Sequence, residues 1–175
     1  MNEIGTTQSK PTELTVSKCK RLCDYVYTHP TPKLRYHASD MCLYIDTDAA
    51  YLVAPKSRSR VAGYFYLSDK SSSSIKNPKL NAAIHVECCL LRHIVSSAAE
   101  AETAGIFTNC QTAIPIQHML NILGHKQPPT PVKTDNKTAA SFSNNTLKSK
   151  RSKYWDMRYY WIKDRCKQKQ FIILG

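Results

Sequence analysis

Residues 41–53 read MCLYIDTDAAYLV, and their side chains alternate up to an acidic position that two alanines follow. The two alternating sets are Met41, Leu43 and Ile45 on one side and Cys42, Tyr44 and Asp46 on the other. A period of two predicts a β-strand. Asp48 ends the apolar part of this strand, and the small residues after it leave room beside its carboxylate. This is a common place for a metal ligand, although the same pattern also fits an aspartate that forms a turn.

Two further strands are predicted downstream, at residues 61–68 (VAGYFYLS) and 81–91 (NAAIHVECCLL). Within the second of them, Ile84, Val86 and Cys88 alternate with His85 and Glu87. This alternation indicates a strand that is covered on one face and solvated on the other. The connectors between the strands are short and polar, so we expect the three strands to form an antiparallel meander.

The clearest helix signal begins at Ser97, because Glu100 follows it at the spacing of a capping box. We expect this helix to kink or break at Pro115 and to stop at Gly124. Another amphipathic helix is predicted for residues 12–29, with Thr12 as its cap. Residues 1–12 are expected to be disordered.

Glu102 shares a helical stripe with apolar and amide side chains, namely Ile106, Asn109 and Ala113. Because Glu100 already has a role in capping, Glu102 is the acid whose presence needs another explanation. A glutamate that faces the sheet is costly to bury without a partner. We therefore expect Glu102 to have a partner or to bind a cation, unless it lies on the exposed side of the helix.

The rest of the chain alternates strands and helices. A fourth strand is predicted at residues 131–135 (PVKTD), a short helix at 137–143, a basic helix at 152–168 and a fifth strand from residue 171. Asp135 would lie at the carboxyl end of the fourth strand, where ligands gather in α/β sheets, or it would cap the following helix. The order of elements predicts an α/β domain with a mixed sheet.

The basic helix has its own buried stripe, formed by Trp155, Tyr159, Ile162 and Cys166. Asp156 lies beside that stripe, and we interpret it as an ion-pair partner of Lys153 or Lys163 rather than as a metal ligand. Asp46 has the same strand parity as Asp48. It is therefore a candidate second ligand or an exposed charge.

The formal net charge of +12 favours a polyanionic partner such as nucleic acid. Residues 148–169 carry nine basic and two acidic side chains. The candidate nucleic-acid-binding residues are Asn136, Lys148, Lys150, Arg151, Lys153 and Arg158. A basic face that only meets solvent is the alternative.

Seven cysteines and a polar N-terminus without a secretory signal indicate reduced thiols and an intracellular protein, cytoplasmic or nuclear and not secreted. No apolar run reaches the roughly 20 residues that span a bilayer, so no membrane partner is expected. The spacing of Cys19 with Cys23, and of Cys88, Cys89 and His93, does not match a standard zinc site.

Nearly the whole chain, residues 10–171, resembles the ribonuclease H domain of copia-type retrotransposon polyproteins. The matching segments are KPTELTVSKCKRLCDYVYTHPTPKLRYHASDM, DTDAAYLVAPKSRSRVAGYFYLSD, SSAAEAETAGIF, PPTPVKTDNKTAA and KSKRSKYWDMRYYWIKDR. The resemblance implies an RNase H-like fold with a mixed five-stranded sheet of three antiparallel and then parallel strands. It assigns residues 1–36 to a tail and helix like the connection to the reverse transcriptase, and residues 37–175 to the RNase H-like domain.

The resemblance also implies a nuclease that cleaves the RNA strand of an RNA–DNA hybrid with two Mg²⁺ ions. By position, Asp48, Glu102 and Asp135 match the catalytic and metal-binding carboxylates, and the reverse transcriptase domain of the parent polyprotein is an expected partner. The last catalytic aspartate of the family lies after the fifth strand, in a segment like ADxxTK. The sequence ends at Gly175 before such a segment. The domain is therefore expected to be C-terminally truncated, with an incomplete second metal site.

Two other functions remain open at this point. One is a catalytically inactive, nucleic-acid-binding remnant of the same retrotransposon domain. The other is an unrelated basic binding protein, in which Asp48, Glu102 and Asp135 would not cluster.

Overall fold

The computed structural model describes residues 2–70, 78–135 and 153–175, apart from the side chains of Asn2 and of residues 153–156. The chain divides into two compact units, residues 1–35 and residues 36–175. The predicted short helix at 137–143 lies outside the described residues. No described helix is both long enough and apolar enough to span a bilayer.

The first unit contains two helices, α1 (Asn2–Thr6) and α2 (Glu13–Thr28). Thr12 caps α2 as predicted, since its hydroxyl accepts a hydrogen bond from the backbone N–H of Thr15. The expected disorder of residues 1–12 is wrong, because α1 lies within them. Glu3 in α1 forms an ion pair with Lys18 in α2, a contact between elements that local composition does not predict.

The second unit is built on a five-stranded sheet. Its strands are β1 (Cys42–Ala54), β2 (Arg58–Ser68), β3 (Ala83–Leu90), β4 (Thr130–Lys133) and β5 (Phe171–Leu174), in the order β3-β2-β1-β4-β5. The strands β1, β2 and β3 are antiparallel, whereas β4 is parallel to β1 and β5 is parallel to β4. The predicted mixed sheet is confirmed.

Two long helices accompany the sheet, α3 (Ala98–Ile122) and α4 (Lys153–Lys167). Ser97 caps α3 by accepting a hydrogen bond from the Glu100 N–H at 3.1 Å, and the Glu100 carboxylate accepts one from the Ser96 N–H at 2.7 Å. The predicted cap at Ser97 is confirmed, but the capping box is not complete, because Glu100 accepts from the Ser96 amide instead of the Ser97 amide. The α-helix ends just before Gly124, which has a φ of 91°.

Of the kink or break predicted at Pro115, the break does not occur, because α3 continues through this residue. Pro115 and Gln111, whose carbonyl loses its usual amide partner, both lie on the exposed side of the helix. Ala113 and Gln117 are buried on the other side. Packing on the buried side therefore holds the helix together across a residue that would otherwise interrupt it.

Helices α3 and α4 contribute to the same hydrophobic core as the sheet. This core includes Leu43, Ile45, Phe65, Ile106, Cys110, Val132, Ile162, Phe171 and Ile173. The predicted stripe of α3 is confirmed, since Glu102, Ile106, Asn109 and Ala113 are all buried. In α4, Tyr159 and Ile162 are buried and Cys166 is half-buried, whereas the side chains of Trp155 and Asp156 lie outside the described residues.

In β3, the apolar side chains are not on the covered face, as a simple reading of the alternation would expect. Ile84 and Val86 are exposed, whereas His85 and Glu87 are half-buried. His85 pairs with Phe65 of β2, and the His85 ring meets the Phe65 ring edge-on with centroids 5.1 Å apart. Phe65 faces the core, and His85 lies opposite it in the register, so His85 is on the core face of β3. Ile84 and Val86 are therefore on the other face.

Helix α3 approaches the sheet closely at Gly63. A Cβ atom at this residue would lie 2.7 Å from Cγ and 2.9 Å from Nδ2 of Asn109, and nearer still to its Oδ1. Asn109 is fully buried, and its Nδ2 donates to the Thr47 hydroxyl at 2.7 Å and to the Ala62 carbonyl at 2.8 Å. This polar contact ties α3 to β1 and β2.

We expect Gly63→Ala to lower the free energy of unfolding by about 2–4 kcal/mol, because Asn109 must move and lose buried hydrogen bonds. Urea denaturation of the purified chain measures this. The control is Gly5→Ala, which should not lower the stability, since no atom lies within 4 Å of a Cβ at Gly5 and alanine is the better helix former in α1. Equal stability of the two variants would contradict the importance of the Gly63–Asn109 approach.

Candidate active site

The parallel pairing of β1 and β4 brings two distant aspartates to one place. Asp46 pairs with Lys133 in this register. Two residues further along each chain segment are Asp48 and Asp135, so the two aspartates lie near each other just past the last residue of β4, alongside the middle of β1. One carboxylate oxygen from each of Asp48, Glu102 and Asp135 lies within 4.8 Å of the others. We call these three residues the carboxylate cluster.

Small residues allow α3 to carry Glu102 against the sheet. Ala101 and Ala104 are buried in a core that also contains Val61. A Cβ at Gly105 would lie 3.4 Å from the Thr47 hydroxyl and 3.4 Å from a methyl group of Val61. The helix backbone therefore comes close to β1 and β2, and the side chain of Glu102 reaches the middle of β1 at Ala49.

The Glu102 side chain is held at both oxygens. The backbone N–H of Ala49 donates to Oε1 at 3.3 Å, and the Thr134 hydroxyl donates to Oε2 at 3.3 Å. Glu102 is 6% exposed, whereas Asp48 and Asp135 are exposed. The cluster thus has one buried, oriented carboxylate and two that solvent can reach.

Burial raises the pKa of Glu102 to about 7, and the negative charges of Asp135 and Asp48 contribute in the same direction. The hydrogen bonds from Ala49 and Thr134 oppose this increase in pKa. Within the described part of the chain, no Lys, Arg or His side chain forms an ion pair with the cluster. Three carboxylate oxygens that repel one another, with no cationic side chain of the described residues paired to them, fit a hard divalent ion.

Asp46 lies outside the carboxylate cluster, although it shares the strand parity of Asp48. It is half-buried, and burial raises its pKa while the positive charge of Lys133 acts in the opposite direction. The structure therefore gives Asp46 a neighbouring lysine on β4 rather than a place beside Glu102.

The predicted nucleic-acid-binding residues are only partly described. Asn136, Lys148, Lys150 and Arg151 lie outside the described residues, and Lys153 belongs to α4 without a described side chain. Arg158 is half-buried, and its guanidinium lies against the ring nitrogens of His93 and 5.7 Å above the centre of the Phe107 ring. Burial, followed by the charge of Arg158, lowers the pKa of His93. Arg158 thus has a packing role as well as a charge.

Among the described residues, the cysteines and histidine considered as zinc ligands, Cys19, Cys23, Cys88, Cys89 and His93, do not form a metal-ligand group. The seven cysteines are thiols, and none of them belongs to a metal-ligand group of three or more among the described residues. The sequence interpretation missed two groups that matter at the carboxylate cluster, the Ala49 amide and the Thr134 hydroxyl. A signal for both exists, since each residue is adjacent in sequence to one of the predicted aspartates.

No family model and no curated protein matches the sequence. Among solved structures, LC11-RNase H1 from compost matches with a TM-score of 0.54 and 9% identity, over 76% of this chain and 82% of that chain. The N-terminal RNase H domain of a Mycobacterium tuberculosis protein matches with a TM-score of 0.49 and 12% identity, over 77% and 79%. The foamy viral protease–reverse transcriptase in complex with dsDNA matches with a TM-score of 0.46 and 18% identity, over 82% and 83%. The predicted fold class is confirmed: the sheet and its helices form an RNase H-like fold.

Proposed function

We propose that this chain is a metal-dependent ribonuclease H that hydrolyses the RNA strand of RNA–DNA hybrids. The observation that carries the proposal is the convergence of Asp48, Glu102 and Asp135 within 4.8 Å, where β4 ends beside the middle of the parallel strand β1 in an RNase H-like fold. Three separate elements supply these residues, and nothing in the local sequence requires them to meet.

The donor set of the carboxylate cluster fits Mg²⁺, because it consists of hard, anionic oxygens. Asp48, Glu102 and Asp135 would hold the ion. When bound, Mg²⁺ supplies a Lewis acid for the phosphate and lowers the pKa of a bound water. The second ion that the resemblance implies stays a prediction.

The residues of the chain contribute orientation and access. The hydrogen bonds from Ala49 and Thr134 hold the Glu102 carboxylate between the middle of β1 and the residue that follows β4. Asp48 and Asp135 are exposed, so that a substrate phosphate can approach their side of the cluster. The net charge of +12 attracts the nucleic-acid backbone toward a site that is itself negative.

The proposed substrate is an RNA–DNA hybrid, recognised by its backbone and groove shape rather than by base sequence. We further propose that the chain derives from a copia-type retrotransposon polyprotein, with the reverse transcriptase as its partner and residues 1–36 as the connecting segment. This origin rests on the resemblance of the quoted segments alone, since no family model and no curated protein matches the sequence.

A cleavage assay tests the proposal. We expect the purified chain to cut a fluorescently labelled RNA strand in a hybrid when Mg²⁺ is present and to stop when EDTA is added. A DNA duplex of the same sequence serves as the control substrate, and it should remain intact. Hybrid binding that weakens with salt, without Mg²⁺-dependent cleavage, would support the inactive binding remnant instead.

A further inference from the structure

Thr134 stands between the carboxylate cluster and the last strand of the sheet. It is 2% exposed, and its backbone N–H donates to the Leu174 carbonyl of β5 at 2.9 Å. Its hydroxyl donates to Oε2 of Glu102 at 3.3 Å. The next residue is Asp135, a member of the cluster. Thr134 therefore contacts one carboxylate through its side chain and adjoins another through its backbone.

We propose that Thr134 is a positioning residue that holds the Glu102 carboxylate in the orientation needed to bind a divalent cation. The inference rests on the proposed function, since it assumes that the carboxylate cluster holds an ion. A carboxylate has about four lone-pair positions on its two oxygens. Ala49 and Thr134 each use one of these, on different oxygens, and the remaining lone pairs are left for a cation.

The chemistry of Thr134 suits this role. Its β-branched side chain has few rotamers, so the direction of the hydroxyl is fixed once the backbone is fixed. The hydrogen bond to Leu174 fixes that backbone from β5. The hydroxyl donates a hydrogen bond to the charged form of Glu102, and this bond opposes the rise in the Glu102 pKa that burial causes. Outer partners of this kind typically change metal affinity about 10–100-fold.

The matched control residue is Thr130 in β4. Thr130 is fully buried, like Thr134, but its hydroxyl accepts a hydrogen bond from Nε2 of Gln117 at 2.7 Å. Thr130→Val removes the same hydroxyl from the same chain segment without touching Glu102. Thr134→Ser is the conservative variant, because it keeps a hydroxyl at the position next to Asp135.

The experiment measures the dissociation constant of Mn²⁺ by isothermal titration calorimetry, using the full chain without nucleic acid. We expect Thr134→Val to raise the dissociation constant about 10–100-fold. Thr130→Val should bind Mn²⁺ like the wild type, and Thr134→Ser, which keeps the hydroxyl but loses the β-branch, should bind it more tightly than Thr134→Val does. Circular dichroism of each variant verifies that the chain is folded, and urea denaturation records the loss of stability separately from the loss of affinity.

The outcomes separate the inference from the proposed function. If the wild type and Thr134→Val bind Mn²⁺ equally well, the positioning role is overturned while the metal site stands. An equal loss of affinity in Thr134→Val and Thr130→Val would also overturn it, since general destabilisation would then explain both. If the wild type binds no Mn²⁺, the metal site fails and the inference fails with it. If the wild type binds Mn²⁺ but does not cleave the hybrid, only the proposed nuclease activity is contradicted.

Discussion

Asp48→Asn is expected to lower Mg²⁺-dependent hydrolysis of an RNA–DNA hybrid by about three orders of magnitude, or about 4 kcal/mol in the barrier. Asp48 is an exposed member of the carboxylate cluster, so the asparagine fits the same space without disturbing the core. The substitution removes a full negative charge and leaves a neutral amide, which is a poorer ligand for a hard cation. The initial rate of cleavage of a labelled hybrid measures the effect.

The control for this variant must reproduce the change in charge without touching the site. Asp24→Asn on α2 does so, because Asp24 is also exposed and lies outside the carboxylate cluster. Both variants should bind the hybrid in EDTA at least as well as the wild type, since each loses one negative charge. Retention of most of the cleavage activity in Asp48→Asn, with Mg²⁺ still required, would rule out the assigned role of Asp48.

Local patterns were sufficient to predict most of the fold. The alternation of side chains with a period of two predicted β1, and the spacing of Ser97 and Glu100 predicted the start of α3. The buried face of α3 was also predicted, because Glu102, Ile106 and Asn109 follow a helical period. These features depend on interactions between residues close in sequence, for which amino-acid type and spacing are good guides.

The wrong predictions concern features that tertiary packing determines, namely which face of a strand is buried and where a helix begins or continues. In β3, the pairing of His85 with Phe65 overrides the apolar character of Ile84 and Val86. In α3, the buried residues on either side of Pro115 keep the helix continuous. In α1, an ion pair with α2 accompanies a helix that a polar composition did not suggest. A local sequence pattern contains no information about these tertiary partners.

The candidate site shows the same limit. Asp46 and Asp48 have the same strand parity, so the alternation alone could not separate them. They are separated by the position of α3 along β1, where the Ala49 amide meets Glu102 and leaves Asp46 beside Lys133. Thr134 was missed because its partner, Glu102, is 32 residues away in the chain.

Without a metal ion, we expect the free energy of unfolding of the chain to depend on pH through Glu102. Burial and the neighbouring aspartates raise the pKa of Glu102 from 4.5 to about 7 in the folded chain. Below pH 4.5 the carboxyl is protonated in the folded and the unfolded state alike. Between pH 4.5 and 7 the folded state retains a proton that the unfolded state has lost, so the stability falls as the pH rises. Above about pH 7 the loss is complete and becomes constant.

Glu102→Gln should not show this loss, because glutamine does not titrate. In EDTA, we expect the variant to be more stable than the wild type at pH 8, relative to their difference at pH 4, by about 1–3 kcal/mol. Urea denaturation of both proteins across this range measures the difference, and taking the difference cancels the other titrating groups. Parallel stability curves for the two proteins would show that Glu102 has an ordinary pKa.

Mg²⁺ should reverse the ranking, because a cation binds the charged form of Glu102 and only in the folded state. At pH 8, a concentration of 100 times the dissociation constant would stabilise the wild type by about 2.7 kcal/mol. Glu102→Gln, which lacks the buried negative charge, should gain little from the same Mg²⁺. The carboxylate that lowers the stability of the metal-free chain is thus the one expected to stabilise it when the ion is bound, which is the behaviour of a ligand rather than of a structural ion pair.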